Sequence, residues 1–249
     1  MASVSEHYER LLSKHYTWML GTSFEEKVKE QNAFLSRTLG NLKNSPKPAL
    51  AVDLGCGPGF QTIALAQLGF SPVIAVDTSS ELLDELRSYV GDFPFQIEKA
   101  DLRELPALVS AGQATVIVCM GDTLTHLPGK GDVTALFRAA FDALRPGGML
   151  VISYRDLTTE IRGTDRFIPV RSDEDKIMTC FLEFENAESV VVHDLIYIRE
   201  GTGWSLNKSS YRKMRLGIDW MCEELGKAGF TAVSQDLCGR LVGVTATKP

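Results

Sequence analysis

The chain has 249 residues, 44% hydrophobic and 23% charged, an ordinary globular composition with length enough for one large core. Its 26 basic residues against 32 acidic ones leave a net charge of −6, which argues against a broad nucleic-acid footprint. No apolar run approaches the length that spans a bilayer, and the amino terminus has neither the basic start nor the apolar stretch of a secretion signal. A cytoplasmic location with no membrane partner is therefore expected.

Residues 6–43 carry no proline and place Leu11, Leu12, Trp18, Met19, Val28, Phe34 and Leu35 at mostly helical spacings, with a break near Gly21. This leading segment is aromatic, with Tyr8, His15, Tyr16 and Trp18 close together; packing on the rest of the protein is the plain reading for Tyr8 and Trp18, and a lid over a ligand the sharper one. Pro46 and Pro48 end it. From 49 to about 155 the chain alternates strands (49–54, 72–76, 93–98, 114–120, 149–154) with helices (near 59–69, 80–90, 102–110, 132–144), which implies right-handed crossovers and a parallel sheet. Thr78 with Glu81 reads as a capping box on the second of these helices, and Leu144-Arg145-Pro146-Gly147-Gly148 as a stop and turn into the fifth strand.

After Arg155 the pattern changes to alternating, β-rich runs (167–170, 177–184, 190–199, 204–216), read as an antiparallel meander inserted in the α/β domain. A helix at about 217–228 and a hairpin of 231–237 with 241–246 close the chain. With no repeat or long linker, one domain is the economical reading: a helical lid over 1–47, a core of 48–155 and 217–249, and a cap of 156–216. The charge run Arg171–Lys176 reads as a solvated turn. Five scattered cysteines without a C-x-x-C pair, and four histidines without metal-ligand spacing, exclude a disulfide framework and make a metal site unexpected.

The chemistry concentrates at Val52-Asp53-Leu54-Gly55-Cys56-Gly57-Pro58-Gly59. An apolar strand runs into an acid and then glycines on alternate positions, where bare backbone can approach a ligand at the carboxyl end of a first strand. The dinucleotide fingerprint is G-x-G-x-x-G, and here the third glycine comes one position early. Asp77, ending the second strand, suits a ribose diol but would serve a dinucleotide and another nucleoside equally.

Taken together, that turn, Asp77, Ala100-Asp101-Leu102 and Leu144-Arg145-Pro146-Gly147-Gly148 resemble the class I S-adenosylmethionine-dependent methyltransferases, over about residues 48–155. The resemblance implies a Rossmann-like, seven-stranded, mostly parallel sheet with helices on both faces and a carboxyl-terminal antiparallel hairpin, with the antiparallel insertion after the fifth strand. It also implies S-adenosylmethionine as cofactor and S-adenosylhomocysteine as product. Residue by residue, it implies that Gly55, Cys56, Gly57 and Gly59 pass the methionyl and ribose part, with Asp53 supporting the turn. Asp77 and Thr78 would flank the ribose, Asp101 and Leu102 the adenine. The carbonyls of Cys119 and Met120 would receive the methionyl ammonium, and Tyr16 belongs to a loosely matched aromatic lid.

Cys119-Met120-Gly121-Asp122-Thr123-Leu124-Thr125-His126-Leu127 resembles a stretch of the glycine N-methyltransferase-like small-molecule enzymes, and Tyr154-Arg155-Asp156 their arginine-bearing segment. On that resemblance His126 lines the cofactor, Asp122 faces the acceptor and Arg155 grips an acceptor carboxylate, a task suited to a planar guanidinium. Asp122 replaces the relatives' asparagine, so glycine itself is not expected as acceptor. The competing readings are a mutual Asp122–Arg155 ion pair and a capping or core-edge His126. Tyr197, Trp204, Tyr211 and Arg212 read first as β-core residues. The chain lacks the D/N-P-P-Y tetrapeptide usual in nucleic-acid adenine methyltransferases. The expectation is methyl transfer to a small amine- or carboxylate-bearing molecule, with no nucleic-acid partner and a homodimer left open. An O-methyltransferase using Asp122 or His126 as base, or a non-catalytic cofactor-binding regulator, are the alternatives.

Overall fold

The computed structural model describes residues 3–46, 48–91 and 93–249; positions 1, 2 and 47 of the expected amino-terminal segment, and 92, lie outside the described residues. The chain opens with α1 (Val4–His7), capped by a reciprocal Ser3–Glu6 box, a π turn over Tyr8–Leu12, a 3-10 turn over Ser13–His15, and α2 (Tyr16–Met19). After a break at residues 20–23 follows α3 (Phe24–Thr38). Then come β1 (Leu50–Leu54), α4 (Phe60–Gln67), β2 (Val73–Asp77), α5 (Ser80–Tyr89), β3 (Phe95–Lys99), α6 (Leu105–Leu108), β4 (Ala114–Cys119), α7 (Lys130–Ala143) and β5 (Leu144–Tyr154). The chain then runs through β6 (Phe167–Ser172), β7 (Lys176–Phe184), β8 (Ser189–Glu200) and β9 (Gly203–Met214), and ends with α8 (Ile218–Lys227), β10 (Thr231–Cys238) and β11 (Leu241–Thr247).

The strands form two sheets. One has seven strands in the order β10-β11-β5-β4-β1-β2-β3, parallel except where β11 runs antiparallel to both β5 and β10. The other is the four-stranded antiparallel meander β6-β7-β8-β9. In β1 and β2, Val52, Leu54, Ile74 and Val76 face the side covered by α7 and α8, while Ala51, Val73 and Ala75 face α3, α4 and α5. Coverage on both faces explains why these strands read as continuous apolar runs.

Two local expectations change. The cap of α5 is Ser79, whose hydroxyl accepts from the Leu82 amide, and not Thr78, which stays exposed. One residue decides it: a cap one position later lets the Asp77 carboxylate accept from the Ser79 amide at 2.8 Å. The Leu144–Gly148 segment also belongs to β5, with a register break between the Ala114–Leu144 and Val116–Met149 pairs that bulges Arg145–Gly148 out of the ladder.

The amino-terminal turns are pinned to both sheets. Leu11 and Leu12 pack on Met178 and Ile196 of the meander. His7, fully buried, bonds Asp194 on β8 at 2.9 Å, and Trp18 Nε1 donates to Asp173 at 2.5 Å while Arg171 donates to the Trp18 carbonyl. The Arg171–Lys176 turn is thus an anchor for the leading segment as well as a solvated loop. On the other side, Thr17 donates to Glu85 at 2.6 Å and Ser13 to Glu81, both on α5.

The glycine turn is held from beneath. Asp53 is buried and accepts from Thr62 Oγ1 of α4 at 2.6 Å. Gly59 starts α4 at φ +97°, where a Cβ would stand 2.1 Å from Leu86 Cδ1. Gly59→Ala therefore combines backbone strain with overpacking, and an equilibrium denaturation experiment is expected to show a loss of about 1–3 kcal/mol. Burial, with the Asp77 charge adding to it and the Thr62 hydrogen bonds opposing it, pushes the Asp53 carboxyl up to about 7. A carboxyl with a raised folded pKa contributes stability below its unfolded value that is lost as pH rises through the folded one. Melting temperatures should therefore shift in favour of Asp53→Asn, relative to the parent, on going from about pH 5 to about pH 8.

Candidate active site

A cavity of about 830 Å³ opens where the carboxyl ends of β1, β2 and β4 face the meander, within the range of small-molecule sites. Its floor is the glycine turn. Gly57 points away from neighbouring atoms, so that a Cβ there would come no closer than 3.9 Å to Tyr16, and its amide donates to Asp77 Oδ2 at 2.8 Å. Both Asp77 oxygens are thus oriented by backbone amides, from Gly57 and Ser79. Burial raises this carboxyl and the amides oppose the rise. Further along, Asp101 caps the turn over Leu102–Glu104 and is gripped by the Arg103 guanidinium at 2.8 and 2.9 Å, which holds its carboxyl below the ordinary value.

The opposite end is built by the turn after β4, the amino-terminal segment and β9. Asp122 adopts φ +83°, a left-handed conformation that aspartate tolerates better than most residues. Its carboxylate collects three donors: the Arg155 amide at 2.9 Å, Thr125 Oγ1 at 3.1 Å, and Lys213 Nζ at 2.5 Å. Burial pushes that carboxyl up, but Lys213, with His126 and the Arg155 amide, holds it below the ordinary value. His126 packs edge-on between Tyr8 and Tyr211, with ring centroids 5.8 and 5.4 Å away, and its Nε2 is shielded and bonds nothing among the described residues. Burial first, and the Lys213 charge second, depress its pKa to about 3. This histidine is neutral at physiological pH.

Of the residues singled out from sequence, Tyr16, Gly55, Gly57, Asp77, Thr78, Asp101, Leu102 and His126 share the cavity wall. Asp53 and Gly59 do not; they support the turn from behind. Cys56 turns into the apolar cluster with Phe24 and Phe60, and Cys119 and Met120 send their side chains to opposite faces of the sheet, the Met120 carbonyl being taken by Thr123 Oγ1. Gly121 and Thr123 stand on the wall in their place. Arg155 departs most. Its side chain is exposed and off the wall, and only its amide meets Asp122, so the Asp122–Arg155 ion pair does not form and the Arg155 guanidinium does not reach the cavity. The cation that pairs with Asp122 is Lys213. Tyr8 is on the wall as well as packed. A charged residue on the Tyr211–Lys213–Arg215 face of the last meander strand was the signal available for Lys213, because that face is buried.

Whether an adenosyl group and a methionyl tail suit this cavity can be judged from the chain's own groups. Gly57 leaves space that any side chain would fill, the Asp77 carboxylate stands at the rim of that space, and Leu102 gives the floor an apolar patch. These features fit. Residues 51–148 match the family described as "Methyltransferase domain". A ubiquinone biosynthesis O-methyltransferase of Xanthomonas axonopodis pv. citri (strain 306) is 34% identical over 109 residues, 43% of this chain and 44% of that protein. An S-adenosylmethionine-dependent methyltransferase from Clostridium acetobutylicum ATCC 824 shares the fold, with a TM-score of 0.75 at 16% identity over 98% of this chain and 96% of that one. The glycine N-methyltransferase of Rattus norvegicus is 31% identical over 206 residues, 76% of this chain and 68% of that protein. On a match of that length, joined to a cavity whose floor suits the donor, the chain belongs to the class I S-adenosylmethionine-dependent methyltransferases.

Proposed function

We propose that this chain methylates the nitrogen of a small-molecule amine. The observation that carries the reading is the absence of a free base at the acceptor end among the described residues. Asp122 is engaged by Lys213, Thr125 and the Arg155 amide, and His126, depressed to about 3, is a weak proton acceptor. A hydroxyl acceptor must lose its proton as it attacks and so gains most from a poised base; an amine needs only to arrive unprotonated, and can release a proton to water afterwards.

S-adenosylmethionine, when bound, supplies an electrophilic methyl on a sulfonium whose thioether departs readily. Within this chain, Asp77 would hold the ribose hydroxyls, the Gly55–Gly57 backbone would pass the methionyl tail, and Leu102 would lie along the adenine. His126, Tyr8 and Tyr16 wall the space beyond, and their bulk excludes water and limits the approach of the acceptor. Of the amino-terminal segment, the turns of residues 3–19 would act as a lid while α3 packs against α4; the stretches 48–155 and 217–249 would act as the donor-binding core, and 156–216 as the cap that completes the acceptor pocket.

Calorimetry on Asp77→Ala should show S-adenosylhomocysteine bound about tenfold or more weakly than by the parent, the loss that follows removal of a charged hydrogen-bond partner. An unchanged affinity would remove Asp77 from the donor site. A methyl-transfer screen over amines, amino acids and phenols, read out as S-adenosylhomocysteine formed, should give turnover with amines; turnover confined to phenols would overturn the nitrogen reading. With a working amine, the rate should climb from about pH 6 to about pH 9 as the acceptor loses its proton, without an inflection near the ordinary histidine value, because His126 stays neutral throughout.

A further inference from the structure

We propose that the outer face of the meander is a docking surface for a second copy of this chain. Alternation along β7, β8 and β9 turns Met178, Leu182, Val192, Ile196 and Tyr211 inward, onto the core and the amino-terminal turns. The residues between them face outward. An antiparallel sheet with one bare face normally presents polar side chains there. This one presents Phe167, Ile177, Trp204 and Leu206, which are 54, 37, 41 and 42% exposed. With Val170 they are five of the eight large apolar residues left exposed among those described. Half-buried neighbours join them into one patch. Phe167 stands opposite Phe181, with ring centroids 4.6 Å apart, and Ile177, Tyr197 and Leu206 form a row across three strands. Leu195 lies between these two rows, and none of these residues belongs to a buried cluster of the chain.

Size and pattern select the occupant. Four strands about 4.8 Å apart, over the nine residues of β7 at about 3.4 Å each, offer roughly 500–600 Å² a side before corrugation is counted. Two such faces clear the ~1,000 Å² total expected of a specific interface. The pattern is also self-complementary. A two-fold axis crossing the strands at Leu195 lays the two sheets antiparallel, within the aligned packing that sheets adopt. The strand register then puts Phe181 on the partner's Ile177 and Arg212 on the partner's Trp204, with Glu183 one strand away from the partner's Arg199. The two Lys208 side chains meet on the edge strand, where long stems carry their ammoniums into water. An anionic bilayer fits the face less well, because Glu183 and Glu200, near its opposite ends, would press on the lipid charge. The inner face of the same strands carries Tyr211 and Lys213 at the cavity and Asp194 at the leading segment. Pairing therefore braces the cap from behind and leaves the donor floor untouched.

Sedimentation velocity of the full chain, from about 1 to about 100 μM, tests this. The parent should run at twice its 27.4 kDa chain mass over most of that range. Ile177→Glu/Leu206→Glu places two carboxylates per copy in the contact and should weaken pairing by about 100-fold or more, leaving single chains. Trp204→Ala, a milder change at the same face, should weaken it by about tenfold. Leu237→Glu, on β10 and 70% exposed but away from the face, should leave the pair intact. In all three variants S-adenosylhomocysteine affinity by calorimetry should stay within about twofold of the parent, which separates lost pairing from lost folding. A parent of single-chain mass throughout, a pair that persists unweakened in the folded Ile177→Glu/Leu206→Glu and Trp204→Ala variants, or a pair lost in Leu237→Glu instead, would each overturn the assignment. So would a single-chain parent that sediments with phosphatidylserine vesicles and loses that binding in Ile177→Glu/Leu206→Glu, since the face would then belong to a bilayer.

Discussion

A lysine from the meander and an aspartate from the turn after β4 meet in the interior, and the geometry of that end of the cavity follows from the contact. Removing both charges from water is expensive, and their attraction offsets the cost only with good geometry and further hydrogen bonds. Asp122 meets that condition, since the Arg155 amide and Thr125 supply the additional donors. The pair then holds the left-handed turn at Asp122 in place, and with it Thr123 at the glycine turn and His126 between the tyrosines. A buried cation beside a buried imidazole also keeps that imidazole neutral. One contact therefore ties a strained turn to the meander, and its lysine adds to the effect of burial on the nearest histidine.

A second buried cation makes the same join from the other side. Arg215, just past β9, donates to the carbonyls of Leu157 and Thr158 at 2.9 and 2.8 Å and to Glu160 at 2.9 Å, tying the exit from β5 to the meander. With Lys213 two residues earlier on the same face, the end of β9 works as a two-point clamp. The amino-terminal turns complete the enclosure differently, with a small apolar cluster and a few polar anchors on each side. Of those anchors the His7–Asp194 bond is as buried as the clamp, whereas the Trp18–Asp173 bond is exposed to solvent.

Much of the donor half could be read from residue order. Buried parallel strands lose alternation and glycines mark close backbone approach, so β1, its turn and Asp77 announce themselves locally. The acceptor half resisted because its contacts are long-range: Lys213 lies 91 positions from Asp122. A motif anchored at Arg155 could name a cation near the fifth strand, but could not show that the strand's end turns that side chain outward and leaves the anion to the meander. Alternation along β9 held a usable sign, since a lysine on a face that otherwise buries Tyr211 must have found a partner. Thr78 failed as a cap for a smaller reason. Serine is a somewhat better capping type than threonine, and the bond from the Ser79 amide to Asp77 adds to that preference.

The division between the two ends of the cavity has a physical basis that goes beyond this chain's own residues. One wall of the cavity is backbone and the Asp77 carboxylate, placed by β1 and β2. The opposite wall is made of side chains borne by three separate segments: the turn after β4, the amino-terminal turns and β9. A side chain of that wall can change without disturbing the sheet beneath it, provided the charge it meets is changed with it. Asp122 and Lys213 form such a coupled pair, and aspartate at this turn requires the lysine as much as the lysine requires the aspartate. An asparagine at 122 would leave the lysine without its anion, and the pocket would then have to recruit a second negative group or give up the cation. Lys213 of β9 and Asp122 of the turn after β4 are therefore one buried unit, and neither can be interpreted alone.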